Sequence, residues 1–203
     1  MLRRPHVPVS RPLPHNTTWT TISLTLFRCT NGSLSILPTY DGPFTLRASN
    51  LNAPFNGQYL AASGGNIFIG RPQSTYCPPE VSAVEPCPSS PDTVFLPGAL
   101  GAIVPGGQHT FIQTNGALAF TEPHSASEPN DFSDQVTVYG GENGGGYFGP
   151  GGVSWVACPA GNATSVYQVF AALSNITFPA TCTGFDAIVQ ELPETTEGAW
   201  EYI

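Results

Sequence analysis

The chain has 203 residues with Lys+Arg 6 and Asp+Glu 14, a net charge of −8, and only 10% charged residues against 40% hydrophobic ones. That length suits one core plus a tail, while Gly 22 and Pro 21 leave little room for long helices and favour short strands joined by tight turns. From Phe44 onward two arginines, Arg47 and Arg71, stand against thirteen carboxylates, which argues against nucleic-acid or anionic-membrane binding, and no segment approaches the roughly 18 apolar residues of a membrane span.

Residues 1–43 differ from the rest. Arg3, Arg4, Arg11 and Arg28 lie here, and Asp41 is the only acid. Thr21–Phe27 is short, Thr-rich and ends at Arg28, and the first alanine is Ala48, so no good signal peptide with a small-x-small cleavage site is evident. Pro5, Pro8, Pro12 and Pro14 oppose the amphipathic helix of a transit peptide. The expectation is a disordered N-terminal extension over 1–43, an unusual leader or a start that replaced one, carrying the odd Cys29, followed by one domain over 44–203.

Phe44–Ala48 alternates apolar and polar residues, as a half-buried strand does. Gln58–Ala62 and Asn66–Gly70 read as strands joined at Ser63-Gly64-Gly65. Residues 71–92 are rich in proline and hold Cys77 and Cys87, which predicts a clamped loop. Asp92–Leu96 is a short strand. Gln108–Gln113 and Ala117–Thr121 form the clearest hairpin, with Asn115-Gly116 predicted to supply positive φ angles.

Pro123–Asp134 is polar and acidic. Gln135–Tyr139 alternates cleanly, and the glycine run Gly140–Gly152, broken by Tyr147 and Phe148, predicts a flexible loop. Val153–Cys158 is a strand with Val153 and Trp155 on one face. Val166–Leu173 is a continuous apolar run, so a central strand covered on both sides is expected. Asp186–Leu192 fits either a strand or a short helix. The terminal Ala199–Ile203 places Trp200 and Tyr202 on one side, to close the core. The fold class expected is all-β, a single antiparallel domain arranged as a barrel, sandwich or trefoil-like fold.

The cysteines carry the compartment. Cys77 with Cys87 and Cys158 with Cys182 have Pro and Gly around them and no adjacent His, a pattern of disulfides formed in an oxidising compartment. Zinc is the rival, but the C-x₂₋₄-C spacing is missing. On a chain-entropy view each bridge stabilises by roughly 3 kcal/mol. Of the sequons, Asn162 and Asn175 fall inside the domain and are the candidate glycosylation sites.

No constellation points to catalysis. Gly144–Gly149 matches G-x-G-x-x-G, yet a strand follows where a dinucleotide site requires a helix. His109 and His124 flank the hairpin and could share a metal, but an isolated pair reads first as exposed surface. Glu122, Glu128, Asp131 and Asp134 lack the ordered spacing of a calcium loop. A glycoside hydrolase needs two carboxylates about 5–10 Å apart, and nothing singles out a pair. Tyr76, Tyr147 and Phe148 could stack on sugars, or simply anchor loops. Neither a catalytic residue nor a cofactor nor a metal is therefore expected.

Phe44–Gly70, Ser74–Pro78 (STYCP), Gly107–Ala126, Trp155–Pro159 (WVACP), Val166–Asn175 and Gly198–Tyr202 (GAWEY) resemble small secreted proteins of filamentous ascomycete fungi, the IgE-binding-protein-like or phialide cell-wall-protein-like family. The resemblance implies an extracellular or cell-wall glycoprotein with Cys77, Cys87, Cys158 and Cys182 structural and no established catalysis. Its expected role is structural or one of interaction, including antigen-like contact with host proteins. The alternative is a carbohydrate-binding module for cell-wall polysaccharides, with a carboxylate-pair hydrolase third.

Overall fold

A computed structural model of the chain describes residues 27–30, 33–36, 40–125, 136–140, 146–150, 154–161 and 165–203. The chain divides between Ile36 and Leu37. In the first unit β1 (Phe27–Thr30) pairs antiparallel with β2 (Ser33–Ile36).

The second unit begins with β3 (Phe44–Ser49), then β4 (Leu60–Ser63) and β5 (Asn66–Ile69). β6 (Thr75–Tyr76) and a single helical turn, α1 (Pro79–Ser82), follow. Next come β7 (Phe95–Leu96), β8 (Ala99–Leu100), β9 (Gln108–Ile112) and β10 (Leu118–Phe120). The rest are β11 (Val136–Gly140), β12 (Gly146–Pro150), β13 (Trp155–Pro159), β14 (Tyr167–Ala171), β15 (Thr183–Glu191) and β16 (Glu201–Tyr202).

The fold is all-β and antiparallel, stapled by two disulfides, Cys77–Cys87 and Cys158–Cys182. Pairing runs from β3 to β15, β13, β14, β5, β10, β9, β8 and β7, and from β7 back to β3. The hydrogen-bonded path thus closes on itself. Of the three arrangements expected, this is the barrel-like one, in which ring closure satisfies strand edges that would otherwise be open.

β15 is the hinge of the architecture. At Ala187–Val189 it pairs with β3 along one register and with β12 along another, while Thr183–Phe185 pair with β13. Its inward set, Phe185, Ala187 and Val189, joins one core with Leu46 of β3, Ile67 and Ile69 of β5, Ile112 of β9, Leu118 of β10 and Trp155 of β13. The period-2 alternation delivers these side chains to one face.

Four sequence expectations are corrected. The glycine run yields β12, paired on both sides; glycine lacks a side chain but keeps the backbone donor and acceptor a ladder needs. Val166–Leu173 is not covered on both sides: Tyr167, Val169 and Ala171 are buried while Gln168 and Phe170 are half-buried. The β9–β10 turn takes positive φ only at Gly116 (85°), and the Gly116 N–H donates to the Gln113 carbonyl, a type I turn followed by a left-handed residue. The two-residue turn with both angles positive is instead Gly64-Gly65, between β4 and β5. Finally, the loop of residues 71–92 includes β6 and α1, because β6 receives the chain's terminal strand β16.

That terminal segment is held without a covalent link. Gly198 and Ile103 donate to the Gly101 and Ala199 carbonyls, Val104 to Trp200, Gly64 to Ile203, and Ile203 to Ser74. Tyr202 is fully buried and Trp200 half-buried. Gln108, also fully buried, donates from Nε2 to the carbonyls of Thr121 (3.1 Å) and Tyr202 (2.9 Å) and accepts the Tyr202 N–H at Oε1 (2.7 Å). The Tyr202 hydroxyl accepts the Val94 N–H at 3.0 Å, and burial pushes its pKa up to about 12.

Candidate functional site

A groove lined by polar groups lies where β3 runs out into an asparagine-rich loop beside the start of β15. It encloses about 520 Å³ and is lined by Ser49, Asn50, Leu51, Asn52, Ser154, Gly184, Phe185 and Asp186. Ser49 and Asp186 are opposed in the β3–β15 register, so they share a face.

Side-chain amides shape the loop. The Asn50 amide donates from Nδ2 to the Gly184 carbonyl (2.7 Å) and accepts the Asn52 N–H at Oδ1 (3.0 Å), while the Asn50 N–H donates to Asn56 Oδ1 (2.9 Å). Such Asx contacts substitute for the ladder that the backbone leaves here. Ala48 and Gly57 close the neck through mutual backbone bonds with Gln58 and Ala48. Phe55 is fully buried and meets Tyr167 and Phe185 edge-on at 4.9 and 5.8 Å. The loop is therefore pinned at its base and presents its tip.

At the tip, Leu51 is 90% exposed. The side chains of Ser49, Asn52 and Asp186 make no hydrogen bond or ion pair among the described residues. Arg47 lies two residues from Ser49 on β3, but its Nε donates to the Gly57 carbonyl (2.9 Å) and its guanidinium sits 5.3 Å from the Tyr59 ring centre. Arg71 lies over Phe68 at 4.7 Å. Chemically the groove offers hydroxyl, amide and carboxylate groups next to an aliphatic patch, with one negative charge.

The residues singled out from sequence lie elsewhere. Cys77–Cys87 closes the loop bearing α1, and Cys158–Cys182 continues the β13–β15 ladder one position beyond Ala157–Thr183. Asn175 is exposed in a turn between buried Leu173 and Ile176, which packs on the core; Asn162 lies outside the described residues. His109, on β9, is exposed, and His124 adopts a left-handed φ of 59°. Among the described residues no group of three His, Cys, Asp or Glu side chains could hold a metal ion.

Glu122 is exposed, whereas Glu128, Asp131 and Asp134 fall outside the described residues. Tyr76 is 47% exposed on β6, opposite Glu201; Tyr147 and Phe148 occupy β12. Sequence reasoning missed Asn50, Asn52 and Asp186. The available signal was three asparagines within Asn50–Asn56, where Asx turns form readily.

No helix among the described residues is long and apolar enough to cross a membrane. No solved structure matches the chain. An uncharacterized secreted protein of Arthroderma benhamiae is 33% identical over 152 residues, covering 70% of this chain and 76% of that protein. The family model described as PhiA-like secreted protein matches residues 44–203, the span that contains the strand ring, both disulfides and the groove. The chain belongs to the PhiA-like secreted proteins of fungi.

Proposed function

We propose that this secreted protein is a non-catalytic glycoprotein of the fungal cell wall that acts through structure and interaction, antigen-like contacts with host proteins included. The observation that carries the reading is where the buried polar groups go. Gln108 and Tyr202 bind backbone, and Thr93 accepts the Ala62 N–H while its hydroxyl donates to Gln73. These groups hold the chain together instead of converging on a cleft as reacting groups do. Asn175 carries an N-glycan in this reading, supported by its exposure.

The test is fractionation of culture medium and purified walls with an antibody to the protein, together with turnover assays on glucan, chitin and mannan. Wall-bound protein that shifts in mass on deglycosylation, with no turnover, supports the proposal. Hydrolysis abolished by one Asp or Glu substitution would overturn it.

A second reading, a carbohydrate-binding module, is favoured by the groove beside Leu51. Among the described residues its lining holds one carboxylate, Asp186, whereas glycoside hydrolysis uses two. The groove thus suits holding a sugar better than cleaving one. Retention on an immobilised wall polysaccharide, weakened in Asn52→Ala, supports this reading; passage through every column overturns it.

A further inference from the structure

We infer that the groove between the Asn50–Asn52 loop and the start of β15 binds an amino sugar of the glucosamine type, with Asp186 as the counter-charge of its ammonium group; this rests on the carbohydrate-binding reading. Three observations converge. The first is the charge. Asp186 is the one ionisable residue lining the groove, and it is exposed without an ion-pair partner among the described residues. Both arginines of the 44–203 region are turned to other contacts, Arg47 to Gly57 and Tyr59 and Arg71 to Phe68.

The second is the company Asp186 keeps. Asn52 offers donors and an acceptor, and Ser49 and Ser154 offer hydroxyls, the inventory that matches vicinal ring hydroxyls. Leu51, 90% exposed, supplies an apolar surface for the C–H face of a pyranose. The third is rigidity. The Asn50 amide fixes the loop through both its Nδ2 and its Oδ1, so little ordering entropy is lost on binding.

The field of the domain points the same way. Two arginines against thirteen carboxylates repel uronic and phosphorylated glycans and attract a polycation. A deacetylated glucosamine chain is the polycation that also has ring hydroxyls for Asn52 and an apolar face for Leu51. Recognition therefore combines a diffuse, salt-sensitive attraction with a local ion pair at Asp186.

The test measures affinity of the full chain for hexamers of glucosamine, N-acetylglucosamine and glucose by calorimetry at pH 5.5, where the sugar amine is protonated, in low and high salt. The glucosamine hexamer is expected to bind at least tenfold more tightly than the other two. Asp186→Asn should weaken it at least tenfold and Asn52→Ala about threefold, while Glu80→Gln, on the exposed α1 turn, leaves it unchanged; each variant must keep the wild-type melting temperature. Equal losses in Asp186→Asn and Glu80→Gln would show diffuse attraction alone and overturn the site. Equal binding of the glucose hexamer would overturn the amino-sugar assignment while leaving carbohydrate binding intact; no binding of any hexamer would remove both, and wall association would stand on its own fractionation result.

Discussion

Two segments with little regular structure are secured in opposite ways. The loop from Cys77 to Cys87 is closed by a disulfide, and Pro79, Glu80 and Ser82–Pro86 on it are exposed. The terminal segment Gly198–Ile203 has no covalent clasp, yet Ala199 and Tyr202 are buried and its backbone is bonded to residues 64, 74, 101, 103, 104 and 108. Just past the loop, the Ser90 N–H donates to the Gly198 carbonyl of the terminal segment. A crosslink restrains the unfolded chain whatever the loop touches, whereas the terminal segment is stabilised only by what it touches. Damage to the first should be graded and damage to the second abrupt.

The largest effect should come from Gln108→Leu. It removes three hydrogen bonds and strands the Tyr202 N–H and two carbonyls, at about 1–3 kcal/mol for each buried group left unpaired. Chemical denaturation should show a loss of about 3 kcal/mol or more, and a loss under 1 kcal/mol would mean that the strap is not seated by Gln108.

Next come the disulfides. Their sequence separations are 24 and 10; loop entropy then assigns about 3.5 kcal/mol to Cys158–Cys182 and about 2.8 kcal/mol to Cys77–Cys87. Denaturation of the two double-alanine variants, one per bridge, tests the order. A reversed order would mean that the α1 loop does more for the native fold than its exposure suggests.

Alkaline pH probes the strap through Tyr202. The Tyr202 pKa rises from 10.0 to about 12 through burial. Between those values the unfolded chain loses its phenolic proton while the folded one retains it, so this contribution is intact below pH 10 and is lost as pH rises through about 12. The change is on the order of 2–3 kcal/mol. Tyr202→Phe should flatten that part of the stability–pH curve and, at neutral pH, cost about 1 kcal/mol for the lost bond to Val94.

The smallest effect is a gain. Thr110 Oγ1 is buried with no hydrogen-bond partner, so Thr110→Val should stabilise the barrel wall by up to about 1 kcal/mol. A loss would point to a water bound at that hydroxyl.

Legibility from sequence followed the same divide. The cysteine spacing announced its loop, alternation located β3 and β13, because a half-buried strand repeats every two residues, and the Asn115-Gly116 step located β9 and β10, each within a residue or two. The terminal aromatics announced burial of Tyr202 but not its partner: Gln108 lies 94 positions away, and no local pattern marks a glutamine that will accept and donate across that distance. The groove was harder still. Its Asn50–Asn52 side comes from one hairpin neck and its Gly184–Asp186 side from a strand more than 130 residues later, joined by the β3–β15 register and the Asn50–Gly184 bond. β12 stayed hidden because glycine-rich sequence encodes permission for a strand without encoding a preference.

Arg47 gives the molecule a further property. It sits mid-strand in β3, with its side chain held to Gly57 and Tyr59, while the other arginine of the domain, Arg71, is followed by Pro72, and lysine is missing altogether. Proteases that cut after basic residues need an extended, accessible bond and do not readily cut before proline. The folded domain therefore offers such enzymes no ready cleavage point, and even after denaturation residues 48–203 emerge as one long fragment, resistant to a whole class of digestive chemistry that an extracellular protein meets.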